Sequence, residues 1–389
     1  MTYLEKLLNG VEVEWMALGE VFEIKAGGDK PKDSISEIET DEFCIPILSN
    51  GIDNKAIYGW TNQFKINVPS LTVSARGTIG WTSIRENPFY PIVRLLVLTP
   101  KIKMNIKYAY YFMKTIENDY KVPPAGIPQL TKPMIKDVLF PIPCPENPKK
   151  SLEIQQKIVA ILDTFTELTA ELTAELTAAL TARKKQYSYY REQLLTFDAQ
   201  EVEWKTLGEV GEVRMCKRIL KNQTSGEGDI PFYKIGTFGK KANAFISKKL
   251  FNEYKSKYNY PKIGEVLISA SGTIGRAVIF DGIDAYFQDS NIVWIENNES
   301  IVLNKYLYYY YQIAKWHTAE GGTIKRLYNN DLKKTKIQIP SLEEQERIVA
   351  ILDKFDTLTT SISEGLPKEI ELRKKQYEYY RNQLLTFNG

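Results

Sequence analysis

The longest regular pattern of apolar and polar positions lies in the middle of the chain and returns at its end. From Ser151 onward, Ile154, Ile158, Ile161, Phe165, Leu168, Leu172, Leu176 and Leu180 recur every three or four residues, the spacing of one helix face. Ile348, Ile351, Phe355, Leu358, Ile362, Leu366 and Ile370 draw a second stripe. Stripes this narrow suit helix-on-helix packing. The steps of 3, 4 and 4 through Phe165, Leu168, Leu172 and Leu176 favour a nearly straight or slightly right-handed pair. Ser151 and Ser341 are the expected N-caps, with Glu153 and Glu343 in the first turns. A helix over 151–196 would span about 70 Å. Gly365-Leu366-Pro367 predicts a break in the second helix. The segments between the stripes are short β-branched runs punctuated by Gly and Pro, which predict compact, strand-rich domains.

The helices repeat. Arg183 to Phe197 returns as Arg373 to Phe387 with only Ser188/Glu378 and Glu192/Asn382 differing. Ser151 through Asp163 returns as Ser341 through Asp353. The intervening segments are related more faintly. Val13-Glu14-Trp15 and Leu18-Gly19-Glu20-Val21 match Val202-Glu203-Trp204 and Leu207-Gly208-Glu209-Val210. Each segment holds Ser-Ala-x-Gly-Thr-Ile-Gly, at Ser74 to Gly80 and Ser269 to Gly275. A Tyr-rich helical stretch follows, at Lys107 to Tyr111 and Lys305 to Tyr309. Each closes on a β-like run, Val138 to Pro143 and Ile337 to Pro340. The expected division is 1–148, 149–198, 199–340 and 341–389, with domains first and third and helices second and fourth. Tyr3, Glu5, Leu7 and Leu8 resemble Tyr190, Glu192, Leu194 and Leu195, so the repeat is expected to be circular. The predicted class is α+β: two strand-rich globular domains joined by two long antiparallel, coiled-coil-like helices in a pseudo-two-fold arrangement.

Thr169 to Leu180 is three consecutive Thr-Ala-x-Leu tetrads. Ala, Glu and Leu are good helix formers, and each unit lengthens the helix by about 6 Å. Low-complexity helix would look the same. Between two binding domains, such a unit would also serve as a ruler.

Apolar content of 43% and charged content of 25% are ordinary for a globular chain. Net charge is +3 and pI about 8.4, too mild to point to nucleic acid by itself. The distribution adds more. Between Val213 and Lys262 twelve Lys/Arg face three acids, Glu227, Asp229 and Glu253, the local excess a phosphate backbone attracts. A solvated lysine-rich surface would give the same count. Cys44, Cys144 and Cys216 are widely spaced, which indicates neither a disulfide framework nor a zinc site. The N-terminal segment has no signal-like apolar run, so a cytoplasmic, reduced setting is expected.

Catalytic material is sparse. His317 is the single histidine, so a His-based triad or multi-His metal site cannot be assembled; it is expected on a helix surface. No P-loop occurs. Asn87-Pro88-Phe89-Tyr90 partly matches an adenine methyltransferase motif but lacks its second proline, and is expected to be a turn. The Gly-Thr-Ile-Gly loops are better candidates, because glycine lets backbone approach a ligand closely. A structural turn is the competing reading. The segments 126–132 and 321–327 form a second candidate surface, where Gln suits adenine and Arg or Lys suits guanine.

Two divergent domains alternate with helices carrying Glu-Gln-x-x-Ile-Val-x-Ile-Leu-Asp (Glu344 to Asp353) and Arg-Lys-Lys-Gln-Tyr-x-Tyr-Tyr-Arg, with Thr-Ala-Glu-Leu spacers in the first. This pattern resembles the specificity subunits of type I restriction–modification systems, in the subgroup with TAEL-type spacer repeats. The resemblance implies a non-catalytic subunit whose two target-recognition domains each read half of a split double-stranded DNA sequence. It implies two methyltransferase subunits docked on the helices and a separate restriction/translocase subunit, with no membrane partner. It also implies no cofactor in this chain; S-adenosylmethionine, ATP and Mg belong to the partners. The DNA-binding candidates are then Ser74, Arg76, Gly77, Thr78, Trp81, Gln129, Lys132, Lys217, Arg218, Ser271, Thr273, Arg276, Lys325 and Arg326. The spacer and partner-binding candidates are Ile158, Ile161, Phe165, Leu168, Leu172, Leu176, Leu180, Tyr187, Ile348, Ile351, Phe355, Leu358, Ile362 and Tyr377. A coiled-coil protein scaffold and a stand-alone DNA methyltransferase are the alternatives.

Overall fold

The computed structural model describes residues 3–8, 10–123, 127–198, 202–317, 325–360 and 365–387. The chain forms two units, 1–175 with 370–389 and 176–369. Each contains the same sheets in the same order.

In the first unit, helix α1 (Tyr3–Leu8) precedes strand β1 (Val13–Ala17), helix α2 (Leu18–Val21), β2 (Phe22–Ala26), β3 (Ile45–Leu48), β4 (Ile57–Thr61), β5 (Ser70–Ser74), β6 (Thr82–Arg85), β7 (Tyr90–Pro91) and β8 (Leu95–Pro100). Helices α3 (Ile106–Thr115) and α4 (Lys132–Lys136) and strand β9 (Leu139–Pro143) complete the domain. The sheets are β1-β9, β2-β8-β5-β6 and β4-β3-β7. Helix α5 (Pro148–Leu194) then begins.

The second unit holds β10 (Glu203–Thr206), α6 (Leu207–Val210), β11 (Glu212–Arg214), β12 (Ile230–Tyr233), β13 (Phe245–Ile246), α7 (Lys248–Lys257), β14 (Val266–Ser269), β15 (Ala277–Ile279), β16 (Tyr286–Phe287) and β17 (Ile292–Glu296). It continues with α8 (Asn304–Tyr311), α9 (Asn329–Lys334), β18 (Lys336–Ile339) and α10 (Leu342–Thr360). Its sheets are β10-β18, β11-β17-β14-β15 and β13-β12-β16, the first unit's order element for element. Helix α11 (Leu366–Leu385) ends the chain. The α+β class with two repeated domains is therefore observed.

The elements follow from their residues. Leu95 to Leu98 are all buried because both faces of β8 are covered, Leu96 and Leu98 joining one apolar cluster and Leu95 and Val97 another, and a strand covered on both faces reads as a continuous apolar run. The opening and closing runs of each domain find each other: Val13 pairs with Pro143 and Ala17 with Leu139, as Glu203 pairs with Ile339 and Thr206 with Lys336.

Helix α5 is continuous over 47 residues, about 70 Å at the standard rise. It starts one turn before the expected cap. Asn147 Oδ1 accepts from the Lys150 N–H at 3.1 Å, and Pro148 fits a first turn that needs no N–H. Ser151 is inside the helix and only 3% exposed. Ser341 caps α10 as expected, its Oγ accepting from the Glu344 N–H at 3.3 Å. The predicted break separates α10 from α11, with Gly365 left-handed at φ +80°.

In the first unit α5 packs on α11, with Phe165 stacked on Tyr380 at 5.8 Å. In the second unit it packs on α10, with Tyr187 and Tyr190 stacked on Phe355. The stripes need one correction. Leu168 and Leu358, which occupy the same repeat position, are 55% and 45% exposed, while Leu162 and Leu352 are fully buried. Six residues turn a helix by about 240°, so a helix that buries Leu162 in the domain core turns Leu168 away. Ile158 and Ile348 are buried as expected. Ile161, Phe165, Leu172, Leu176, Leu180, Ile351 and Tyr377 are half-buried. Ile362 lies outside the described residues.

Leu4 of α1 shares one core cluster with Leu384, Leu385 and Phe387, and Trp15 packs edge-on against Phe387 at 6.5 Å. The first and last helices of the chain therefore close the first unit together, as a circular repeat requires.

Candidate nucleic-acid interface

The two Gly-Thr-Ile-Gly loops are the same device. The Gly80 N–H donates to the Ser74 carbonyl, and the Gly275 N–H to the Ser269 carbonyl, both at 2.9 Å. Both glycines of each loop have positive φ: Gly77 and Gly80 at +71° and +88°, Gly272 and Gly275 at +68° and +82°. The glycines are there for the turn. The tips Gly77, Thr78, Gly272 and Thr273 are exposed.

The second candidate surface docks on the first. The Leu130 N–H donates to the Ala75 carbonyl, and the Leu327 N–H to the Ala270 carbonyl, both at 2.9 Å. A third segment joins from the other side: the Ala75 N–H donates to the Arg94 carbonyl at 2.8 Å and the Ala270 N–H to the Asn291 carbonyl at 2.7 Å. Each unit therefore builds one junction of three loops around an alanine.

The junctions carry different side chains. In the first unit, Arg76 Nε and Nη2 both donate to Gln129 Oε1, at 2.9 and 2.5 Å. The Arg76 carbonyl accepts from Asn50 Nδ2 at 2.9 Å. The arginine is held while Nη1 has no partner among the described residues. In the second unit, Ser271 takes the place of Arg76 and Arg326 that of Gln129. Ser271 and Arg326 form a β-bridge, and Arg326 Nη2 donates to Ser290 Oγ at 2.9 Å. The guanidinium thus comes from the first loop in one unit and from the second loop in the other. A guanidinium held at its back can present its free N–H edge to a guanine or a phosphate.

Beside Arg326 a cleft of about 470 Å³ is lined by Arg218, Lys221, Lys234, Gln288 and Asn291. Its basic character comes from part of the lysine-rich stretch only. Arg214, Lys248, Lys255, Lys257 and Lys262 are ion-paired. Asp284 is held below the ordinary carboxylate range by Lys248 and Lys255, and Glu296 by Arg214 and Lys262. Among the described residues Arg218, Lys221 and Lys234, which line the cleft, have no such carboxylate partner; neither do Lys217, Lys240, Lys241 and Lys249, which lie outside it.

Several expected contacts are placed elsewhere. Ser74 is 1% exposed and supports its loop from beneath, because it ends a strand whose residues are all buried. Trp81 is half-buried with Lys114 Nζ 3.8 Å from its ring centroid. Arg276 donates to the Phe238 carbonyl at 2.9 Å and braces that turn. Lys217 lies over Tyr258 at 5.1 Å. Lys132 is exposed at the start of α4, and Lys325 is exposed next to Arg326. Gly126 and residues 321–324 of the second candidate surface lie outside the described residues. His317 is exposed beyond the end of α8 rather than on it. Asn50, Arg94, Gln288 and Ser290 were not singled out from the sequence, and Lys234 entered only as one of the twelve basic residues between Val213 and Lys262. Arg94 and Ser290 have φ of +76° and +53°, a conformation that no glycine flags.

A second surface lies on the helices. In the first unit Leu4, Ile161, Phe165, Tyr379, Tyr380 and Leu384 line an apolar groove of about 420 Å³. Tyr379 is 60% exposed, and Tyr189, its repeat counterpart in the second unit, is also 60% exposed. Among the described residues no group of three or more His, Cys, Asp or Glu is placed to hold a metal ion, and no helix is long and apolar enough to cross a membrane.

Comparison with known proteins agrees with this organisation. The family model described as type I restriction modification DNA specificity domain matches twice, over residues 10–182 and 200–372. A Haemophilus influenzae protein assigned as a type I restriction enzyme specificity subunit is 51% identical over 394 residues, spanning all of this chain and 99% of that one. The EcoR124I/EcoR124II specificity subunit of Escherichia coli is 36% identical over 411 residues, spanning all of this chain and 97% of that one. A chain from a structural study of complex assembly and conformational transition of the type I R-M system shares the fold. Its TM-score is 0.64 at 14% identity, over 96% of this chain and 97% of that one.

Proposed function

Because the chain belongs to the type I restriction–modification DNA specificity family, we propose that it reads the two halves of a split double-stranded DNA target, one with each unit, and directs adenine methylation and restriction by partner subunits. The chain is a non-catalytic specificity subunit. Residues 1–148 and 199–340 are the readers; 149–198 and 341–389 are the spacer. The three-loop junction carries the reading: it occurs once per unit, with the same backbone bonds and different side chains. Arg76 and Gln129 face one half-site, and Arg326, Arg218 and Lys234 face the other. Gly77, Thr78 and Thr273 bring backbone close to the DNA. The tetrads of α5 set the gap between the half-sites.

The exposed aromatic faces of the helices dock the methyltransferase subunits, since apolar surface of this kind marks a protein partner. S-adenosylmethionine, ATP and Mg act on those subunits and on the restriction/translocase subunit, and the system works in the cytoplasm.

The test is to map methylated adenines genome-wide with and without this gene. Loss of one split motif in the deletion is the expected result; an unchanged map overturns the proposal and favours a protein scaffold.

A further inference from the structure

One cluster outside both surfaces is duplicated atom for atom. In the first unit Asp163 of α5 accepts from Tyr111 Oη at 2.7 Å through one oxygen and from Lys107 Nζ at 2.9 Å through the other. In the second unit Asp353 of α10 accepts from Tyr309 Oη at 2.6 Å and from Lys305 Nζ at 2.5 Å. Lys107 and Tyr111, like Lys305 and Tyr309, are four residues apart on one helix face. A second contact lies two turns earlier on the same spacer helix. Gln155 Oε1 accepts from the Asn105 N–H, and Gln345 Oε1 from the Leu303 N–H, both at 2.9 Å. Both glutamines are buried.

Helices α3 and α8 are tied in turn to their domains. Tyr108 Oη donates to the Pro141 carbonyl at 2.9 Å and Tyr306 Oη to the Gln338 carbonyl at 3.0 Å. In the first unit the cluster also reaches the other spacer helix: Tyr111 Oη lies 3.2 Å from Thr166 Oγ1, which lies 3.0 Å from Tyr377 Oη.

We propose that Gln155 with Asp163, and Gln345 with Asp353, are positioning residues that fix each reader's angle on its spacer helix and so set how strictly the gap between half-sites is measured. This rests on the split-target reading above. Two attachment points eight residues apart are separated by about 12 Å along a helix axis. One point would act as a pivot; two remove the rotation. An ion pair with about a third or more of each side chain exposed contributes little to stability. Its recurrence together with a buried tyrosine hydroxyl therefore serves geometry. A reader that swings by an ångström or two shifts its half-site by a sizeable part of the 3.4 Å base-pair rise.

The experiment uses the chain assembled with its methyltransferase partners and a set of DNAs carrying the native half-sites at the native gap and at gaps one base pair longer and shorter. Asp163→Ala and the gentler Tyr111→Phe are each compared with the unaltered chain, and folding is checked by thermal unfolding. The expected result is that preference for the native gap falls about tenfold in Asp163→Ala and less in Tyr111→Phe, with both half-site sequences unchanged. Full gap preference in a folded variant overturns the proposal. So does a rate loss that is equal at every gap, because the cluster would then only hold the domain in place. If Asp163→Ala does not fold, Tyr111→Phe alone decides. Failure of the unaltered complex to methylate a split site removes the underlying reading instead, and is seen in the same assay.

Discussion

The two units share their strand order and their anchoring to the spacer, yet differ where the three loops meet. The first unit takes its arginine from the Gly-Thr-Ile-Gly loop and braces it with Gln129; the second takes it from the opposite loop and braces it with Ser290. The contacts that hold each domain on its spacer helix are held constant, namely the Asp163/Asp353 clusters. The side chains at the three-loop junction vary, and they vary on the same backbone bonds. These side chains can therefore be exchanged without refolding the domain, since the backbone bonds that shape the junction do not involve them.

The loop glycines give the largest expected effect and test how alike the two backbones are. A Cβ on Gly80 would lie 2.2 Å from the Glu117 carbonyl oxygen, whereas a Cβ on Gly275 would lie 2.2 Å from Trp316 Nε1. A backbone carbonyl cannot move aside as a side chain can. Gly80→Ala is expected to cost about 3 kcal/mol and Gly275→Ala about half of that, strain at positive φ included. Thermal unfolding of the two variants checks this, and equal losses would mean that Trp316 is as fixed as the main chain.

A smaller effect comes from a mismatch between the helix faces. Thr166 Oγ1 lies within hydrogen-bond distance of Tyr377 Oη in the first unit. At the same repeat positions the second unit has Asp356 and Tyr187. Burial, with Asp353 nearby, pushes the Asp356 carboxyl above its ordinary range, and burial pushes the Tyr187 hydroxyl up to about 12. A carboxyl raised in the folded state destabilises the fold when charged, so the penalty is full at neutral pH and absent below the ordinary carboxylate pKa of ~4. Asp356→Thr, which copies the first unit, is expected to stabilise by about 1 kcal/mol at neutral pH and to have no effect in acid. Unfolding midpoints at the two pH values check it, and an equal shift at both would remove charge as the cause.

Much of this was legible in the sequence. The helices, their repetition, the break at Gly365 and the α+β domains followed from periodicity and punctuation. The Gly-Thr-Ile-Gly loops were legible as recurrent turns because left-handed backbone demands glycine. Leu168 was misplaced because the face of α5 is set by the residues it buries in the domain core, such as Leu162, and six residues further on that face has turned away. Arg94 and Ser290 were hidden because their left-handed backbone carries no residue signature. The Lys107–Tyr111–Asp163 cluster was hidden because its parts are more than fifty residues apart. The lysine-rich stretch exaggerated the basic surface, since pairing with Asp284, Glu253 and Glu296 is visible only in three dimensions.

The most direct test of the central claim is a genome-wide map of methylated adenine for Arg76→Ala and for Arg326→Ala, each expressed with the full set of partners. Each variant is expected to relax or lose one position in one half-site, by about 1–3 kcal/mol of discrimination, while the other half-site and the gap stay as they are, and the two variants should affect opposite halves. A loss in both variants that is uniform across the target, or a change in the same half-site, would contradict the assignment of one reader to each unit.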